Sequence, residues 1–454
     1  MKRKAYNRIL EWKLKFADKY ALMLDGPRRV GKSWLAETFA KTEYKAYVLI
    51  DFSKVKGDVK ELFNEYLDDL DTFFMLLETK LKVKLPKHES LVIFDEVQRF
   101  PRAREAIKHL VKDGRYHYME TGSLISIKQN VQDIVIPSEE MHLDIHPMDF
   151  EEFLWATGNP VMMDTVRSFA RDRKPYGAAL HRQLMGMFRQ YVVVGGMPQA
   201  VQEYITSHDL ELVDKVKREI LSIYRQDIHK FGGRLKYKIE AIWDDIPSQL
   251  SRHEKRFKPG GVGEAVKMRE LQEPFEWLKE ARTVNLAYNV SDPNVGLKMT
   301  MDAFALKAYL GDTGLLVSHA FDENELARAE IHKRILFDKI ELNEGMLMEN
   351  VVAQMILASG RKPYFYSRID PSKAENRMEI DFVLSKTKTG RRKNIIPMEV
   401  KSGARTTHKS LEKFCKKFNA YTDMPTLLDT KDYKMDKSVS HFPLYAAPAI
   451  LEQI

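Results

Sequence analysis

The chain has 454 residues, enough for about three domains of ordinary size, each burying its own core. Lys plus Arg outnumber Asp plus Glu by 73 to 65, a formal charge of +8 that admits a polyanionic partner without requiring one. The single cysteine, Cys415, excludes an internal disulfide and a multi-thiolate metal site, and no apolar run reaches the roughly 18 residues of a membrane span.

The N-terminal residues Met1 to Tyr6 are basic but have no apolar h-region behind them, so the expectation is a cytoplasmic protein with no membrane partner. Ala21-Leu22-Met23-Leu24 reads as a buried strand, and the octet Gly26-Pro27-Arg28-Arg29-Val30-Gly31-Lys32-Ser33 follows it directly. This is G-x-x-x-x-G-K-[ST], a loop whose backbone N–H groups can curl round the α- and β-phosphates of a nucleotide. Lys32 is suited to neutralising the β- and γ-phosphates and Ser33 to ligating Mg²⁺. Trp34 opens the helix whose positive end faces them. Chance would produce such an octet in roughly one chain in a hundred of this length, before the flanking strand and helix are required. ATP and Mg²⁺ are therefore the expected cofactors.

A second apolar run, Leu91 to Phe94, ends in Asp95 and Glu96. In a P-loop protein Asp95 would hold Mg²⁺ and Glu96 would orient or deprotonate the attacking water. The strand candidates Ala46 to Ile50 and Arg115 to Glu120 complete an alternation of strands and helices that implies a parallel α/β sheet. Thr121-Gly122-Ser123 leaves the last of these strands. A hydroxyl there, Thr121 above all, could sense the γ-phosphate, or the group could simply cap a helix beginning at Leu124-Ile125.

From Asp149 to about Gln226 the pattern turns helical, broken at Gly195-Gly196-Met197-Pro198, and suggests a helical lid. Two short helices around Ile246 to Leu250 and Arg269 to Leu278, a basic segment (Arg252, Lys255, Arg256, Lys258) and the strand-like Thr283 to Leu286 are compatible with a winged helix. They are equally compatible with a spacer whose lysines and arginines are solvated.

The motif order, including Pro147-Met148-Asp149-Phe150-Glu151-Glu152-Phe153, Gly195-Gly196-Met197-Pro198 and Tyr309-Leu310-Gly311-Asp312-Thr313-Gly314, resembles prokaryotic AAA-type ATPases with a C-terminal domain of unassigned function. The resemblance implies a P-loop ATPase core (1–148), a helical lid (149–226), a winged-helix-like connector (227–303) and a C-terminal α/β domain similar to restriction endonucleases (304–454). Many relatives carry a Gly-Arg pair where this chain has Ile136-Pro137-Ser138-Glu139-Glu140.

The C-terminal residues support that expectation by themselves. In Met378 to Leu384, Glu379 and Asp381 share one face of an alternating strand, and Glu399 and Lys401 share one face in Pro397 to Lys401. If the two strands pair through 385–394, Asp381, Glu399 and Lys401 converge as the D…E-x-K of metal-dependent nucleases. There two carboxylates hold Mg²⁺ and a lysine positions water. Glu349, in the apolar helix Gly345 to Ile356, would be a third acid; alternatively Glu349, Asn350 and Gln354 form a solvated stripe, since they span roughly 140°. The hairpin tip Lys386, Lys388, Arg391, Arg392 and Lys393 could meet a phosphate backbone.

The sequence thus points to an ATP-hydrolysing protein whose nucleotide state regulates a nucleic-acid-binding domain, with DNA favoured over RNA, metal-dependent cleavage left open, and a homo-oligomer permitted. The alternative is a non-cleaving, ATP-gated regulator that binds DNA or protein. A kinase is disfavoured, because Glu96 suits hydrolysis. The histidines show no metal-ligand spacing.

Overall fold

The computed structural model describes residues 1–122, 137–293, 296–321, 332–336, 344–368, 378–386, 393–403 and 407–454. The chain divides into two compact units, Met1–His146 and Pro147–Ile454.

In the first unit the strands are β1 (Ala21–Asp25), β2 (Ala46–Asp51), β3 (Ser90–Asp95), β4 (His117–Gly122) and β5 (Glu140–Asp144). They form one all-parallel sheet in the order β2-β3-β4-β1-β5. Both faces are covered, which is why β1 and β3 read as unbroken apolar runs. Met23, Val92 and Phe94 pack on one side with helices Gly57–Glu65, Leu70–Leu81 and Pro101–Asp113. Leu22, Leu24, Leu91 and Ile93 pack on the other with helices Ala5–Lys15 and Lys32–Glu43. The strand order inserts β4 between β1 and β3. The end of β4 therefore lies between the phosphate loop and the carboxylates that follow β3.

The second unit combines helices from Phe150–Ala156 through Lys236–Ser251 with an eight-stranded mixed sheet. Its strands are β6 (Val284–Val290), β7 (Met301–Leu310), β8 (Tyr364–Arg368), β9 (Met378–Ser385), β10 (Ile395–Val400), β11 (Thr426–Asp429), β12 (Lys434–Asp436) and β13 (Val439–Pro443), in the order β12-β13-β11-β10-β9-β8-β6-β7. The segments read as lid and connector lie in this unit with the C-terminal strands. β6 is no free-standing wing: it pairs antiparallel with β7 and parallel with β8. The short helix expected at Ile246 to Leu250 is the end of Lys236–Ser251, which continues through Pro247.

Three motifs that are distant in sequence meet in this unit by backbone approach. Asp149 and Glu152 form a reciprocal capping box at helix Phe150–Ala156. The Met148 N–H donates to Gly196 O at 2.7 Å, and a Cβ on Gly196 would stand 2.0 Å from Met148 O. A Cβ on Gly314 would lie 2.4 Å from Val194 O. Fully buried Asp312 ties the set together, accepting from Gly196 N at 2.6 Å, Leu315 N at 3.0 Å and Gln354 Nε2 at 3.2 Å. The Gly-Gly and Gly-Asp-Thr-Gly motifs are thus packing devices, glycine being what lets two backbones come this close.

Candidate functional site

The phosphate loop runs from the end of β1 into helix Lys32–Glu43, whose N-cap Gly31 has φ 91°. A Cβ on Gly26 would lie 2.4 Å from Ile145 O, so only glycine lets the loop leave the sheet here. Lys32 Nζ donates to Gly26 O and Pro27 O, both at 2.9 Å, which holds the ammonium over the loop. Burial lowers its pKa to about 8 against the pull of Glu96, Asp25 and Asp95. Ser33 Oγ donates to Asp95 Oδ1 at 2.6 Å, and the Thr121 hydroxyl donates to the same oxygen. The loop serine, the acid after β3 and the hydroxyl at the end of β4 therefore form one chain, as the strand order requires. Ser123, Leu124 and Ile125 lie outside the described residues.

Glu96 has φ 54°, a left-handed conformation uncommon outside glycine. Its Oε2 accepts from Gln98 Nε2 at 2.7 Å, which orients the carboxylate. Trp34 is exposed and, with Arg3, Tyr6, Leu35 and Thr38, lines a groove of about 320 Å³. Arg3 donates to Val30 O at 3.0 Å and His146 O at 2.6 Å, fixing the N-terminal helix beside the loop.

Sequence reading missed a buried polar network behind this loop. Arg104 grips Glu140 through two hydrogen bonds, 3.1 and 2.7 Å long, and His142 bridges Glu140 at 2.7 Å and Asp25 at 2.5 Å. Although burial opposes it, His142 and Arg104 hold the Glu140 pKa at about 2, and the hydrogen bonds to Asp25 and Glu140 raise His142 to about 10. Burial and the adjacent Glu140 push the pKa of fully buried Glu120 well up. The signal was the charged β5, which an apolar-run search passes over.

In the second unit, β9 and β10 pair antiparallel through 386–394 with Met398 opposite Phe382, as the alternation predicts. Asp381 Oδ2 accepts from Val400 N at 3.0 Å, and Lys401 Nζ lies 3.6 Å from Glu399 Oε2. Glu349 and Glu399 are buried, each 2% exposed, whereas Glu379 and Lys401 are partly exposed. Asn350 and Gln354 are no solvated stripe either, because they satisfy Leu310 N, Leu310 O and Thr313.

Two cations that sequence reading did not place here occupy the acidic cluster. Fully buried Lys307, from β7, has Nζ 3.1 Å from Glu349, 3.1 Å from Glu379 and 3.4 Å from Asp381. Its pKa is raised because these carboxylates outweigh desolvation. Lys255, expected in a solvated basic segment, contacts Glu349 Oε2 and donates to Gly345 O at 3.1 Å. Although burial opposes it, the two lysines bring Glu349 to about 2, whereas burial, with Asp381 adding to it, raises Glu399 to about 7. Glu349, Asp381 and Glu399 do not place three ligand atoms within 4.8 Å of one another; among the described residues His408, Asp436 and His441 do. At the hairpin tip Lys386 pairs with Asp423 at 2.5 Å, while Lys388, Arg391 and Arg392 lie outside the described residues.

Residues 18–154 match the family model of the AAA domain. Residues 185–325 and 344–445 match two domains of unknown function, DUF8612 and DUF4143. No curated protein matches the chain. Among solved structures, the Walker-type ATPase PABY2304 of Pyrococcus abyssi is 16% identical with a TM-score of 0.40, over 70% of this chain and 95% of that one. AMPPCP-bound DnaA from Aquifex aeolicus is 12% identical with a TM-score of 0.29, over 74% and 94%. The first unit carries an AAA-type P-loop ATPase domain. No helix among the described residues is long and apolar enough to cross a membrane.

Proposed function

We propose that the chain hydrolyses ATP at the phosphate loop of its first unit and uses the nucleotide cycle to control a non-cleaving second unit. The observation that carries the first part is the hydrogen-bonded set Ser33, Asp95 and Thr121 beside an oriented Glu96. The residues fit Mg-ATP: Gly26 to Ser33 would cradle the phosphates, Ser33 and Asp95 offer oxygens to Mg²⁺, and Trp34 and Tyr6 offer ring surface for a base. Bound Mg²⁺ would neutralise phosphate charge. In this reading Glu96 takes a proton from water, supported by the Gln98 hydrogen bond that orients it, and Thr121, bonded to Asp95, senses the γ-phosphate.

Lys32→Ala should abolish tight ATP binding. Glu96→Gln should keep binding while lowering turnover by about 10²–10⁴-fold, the usual worth of a general base. A Glu96→Gln protein that turns over ATP at the parental rate would move the base elsewhere.

The non-cleaving reading of the second unit is favoured by Lys307, whose ammonium stands beside Glu379 and beside Glu349 and Asp381, two of the three carboxylates a nuclease would offer to a divalent ion. We read this unit as a binder of DNA or protein. Incubating the protein with DNA or RNA, Mg²⁺ or Mn²⁺ and ATP, beside Asp381→Ala, tests this. Products that the substitution abolishes would restore the nuclease reading, and salt-dependent binding without products would support the binder.

A further inference from the structure

His408, Asp436 and His441 come from three separate elements and bring one ligand atom each within 4.8 Å of the others. His408 is the N-cap of helix Lys409–Lys417, Asp436 ends β12, and His441 lies in β13 opposite Lys434 and beside Leu427. The two rings meet edge to face with centroids 5.3 Å apart.

What distinguishes this group from an ordinary ion-pair cluster is its buried nitrogens. His441 is 1% exposed, and its Nδ1 faces Asp429 Oδ2 at 3.4 Å. Asp429 is itself fully buried and also accepts from Lys431 N at 2.9 Å, which fixes it in place. A carboxylate on Nδ1 selects the tautomer that leaves a lone pair on Nε2, the usual outer-shell support of a metal-bound histidine. His441 Nε2 has no hydrogen-bond partner among the described residues, nor has His408 Nδ1. His408 Nε2 lies 3.4 Å from Glu412 Oε1 and 3.9 Å from Asp436 Oδ2. An ion-pair reading would occupy His408 Nε2 and leave the other two nitrogens bare, and a buried polar atom without a partner is costly. A bound metal ion would supply a partner that no described residue gives these nitrogens.

We propose that His408, Asp436 and His441 bind a divalent transition-metal ion, with Zn²⁺ the cation that two imidazoles and a carboxylate fit, separate from the phosphate loop and from the Lys307 cluster. The ion ties the start of helix Lys409–Lys417 to the β12–β13 hairpin. That helix also packs on the strands that carry the acidic cluster, with Leu411 and Phe414 in one core with Met378 and Ile380 of β9. The site is therefore a clamp at the β12 edge of the sheet whose inner strands β9 and β10 carry Asp381 and Glu399, and a fourth position is left for water.

The test uses the full chain without an affinity tag, stripped with a chelator and held in excess Mg²⁺ without nucleotide. ZnCl₂ is titrated by calorimetry, and bound metal is counted after dialysis. The expected result is stoichiometric uptake, lost in His441→Gln and His408→Ala, and weakened about 10–100-fold in Asp429→Asn, which removes only the support behind His441. Asp436→Asn guards against misfolding as the explanation: its side chain is 44% exposed, so the fold survives by circular dichroism while affinity falls. No stoichiometric Zn²⁺ in the parent, or full uptake by the His441→Gln and Asp436→Asn proteins, would overturn the site.

Discussion

Replacing Lys307 by Met keeps most of the side-chain volume and removes the one ammonium that touches Glu349, Glu379 and Asp381 together. Lys255 still pairs with Glu349, and Lys401 with Glu399, so Glu379 and Asp381 bear the loss. Breaking a buried charge pair from one side costs about 3–5 kcal/mol, because the remaining charges stay desolvated. At 1.4 kcal/mol per decade that is roughly a 10²- to 4 × 10³-fold fall in hydrogen-exchange protection. It should be read on β9, which carries Glu379 and Asp381. If Lys307 fills the role of a cation, Mn²⁺ should restore part of the protection in the variant, by about 2.7 kcal/mol at a hundred times its dissociation constant, and do little for the parent. A loss below about 1 kcal/mol, or an equal Mn²⁺ effect on both proteins, would refute the idea that Lys307 holds the cluster together.

Asp312→Ala removes a helix cap worth about 1 kcal/mol and strands the buried Gly196 N–H at about 1–3 kcal/mol more, so denaturant unfolding of the second unit should show a loss of about 2–4 kcal/mol. Asp312→Asn, which keeps an acceptor oxygen, should lose less, and equal losses would disprove the cap argument. Gly314→Ala should destabilise by at least the about 1–3 kcal/mol of an overpacked core, since Val194 O and the Gly195 backbone leave no room for a Cβ; an unchanged midpoint would count against that packing. For the network behind the phosphate loop, His142 is raised to about 10 from an unfolded value near 6.5. A raised folded value means its stabilisation is fully present below about pH 6.5 and fades as pH climbs toward 10. The His142 side chain is 46% exposed, so screening keeps the effect at or below about 1 kcal/mol. The stability gap between the parent and His142→Gln should therefore close with rising pH, and a gap constant from pH 6 to 10 would contradict the assignment.

The phosphate loop was legible because its chemistry fixes residue types at fixed local spacing: Gly26, Gly31, Lys32 and Ser33 are adjacent in the chain and stay adjacent in the fold. The position of Asp95 and Glu96 at the end of β3 was legible because a buried parallel strand must read as an apolar run. The β9–β10 hairpin carried its register in its alternation, so Asp381 and Glu399 could be paired from sequence. Lys307, Lys255 and the histidine pair could not be placed that way. Lys307 belongs to β7, and its carboxylates lie on a helix and on β9. Lys255 reads as one more cation in a basic stretch until the fold sets it against Glu349. His408 and His441 are brought together by a helix N-terminus and a strand that no spacing rule connects.

The sequence did leave one trace of the Lys307 site. Ala305-Leu306-Lys307-Ala308-Tyr309-Leu310 is an apolar strand interrupted by a single cation, and all six of its residues are buried. A charge in that setting is not carried to solvent by the strand around it, so it has to find opposite charge inside the protein. The same argument applies to Glu349 in its apolar helix. Taken together, two lone charges of opposite sign in otherwise apolar elements of one domain are better read as partners than as a solvated lysine and a metal ligand. That pairing places a lysine of this chain where a bound cation would otherwise compensate Glu349 and Asp381.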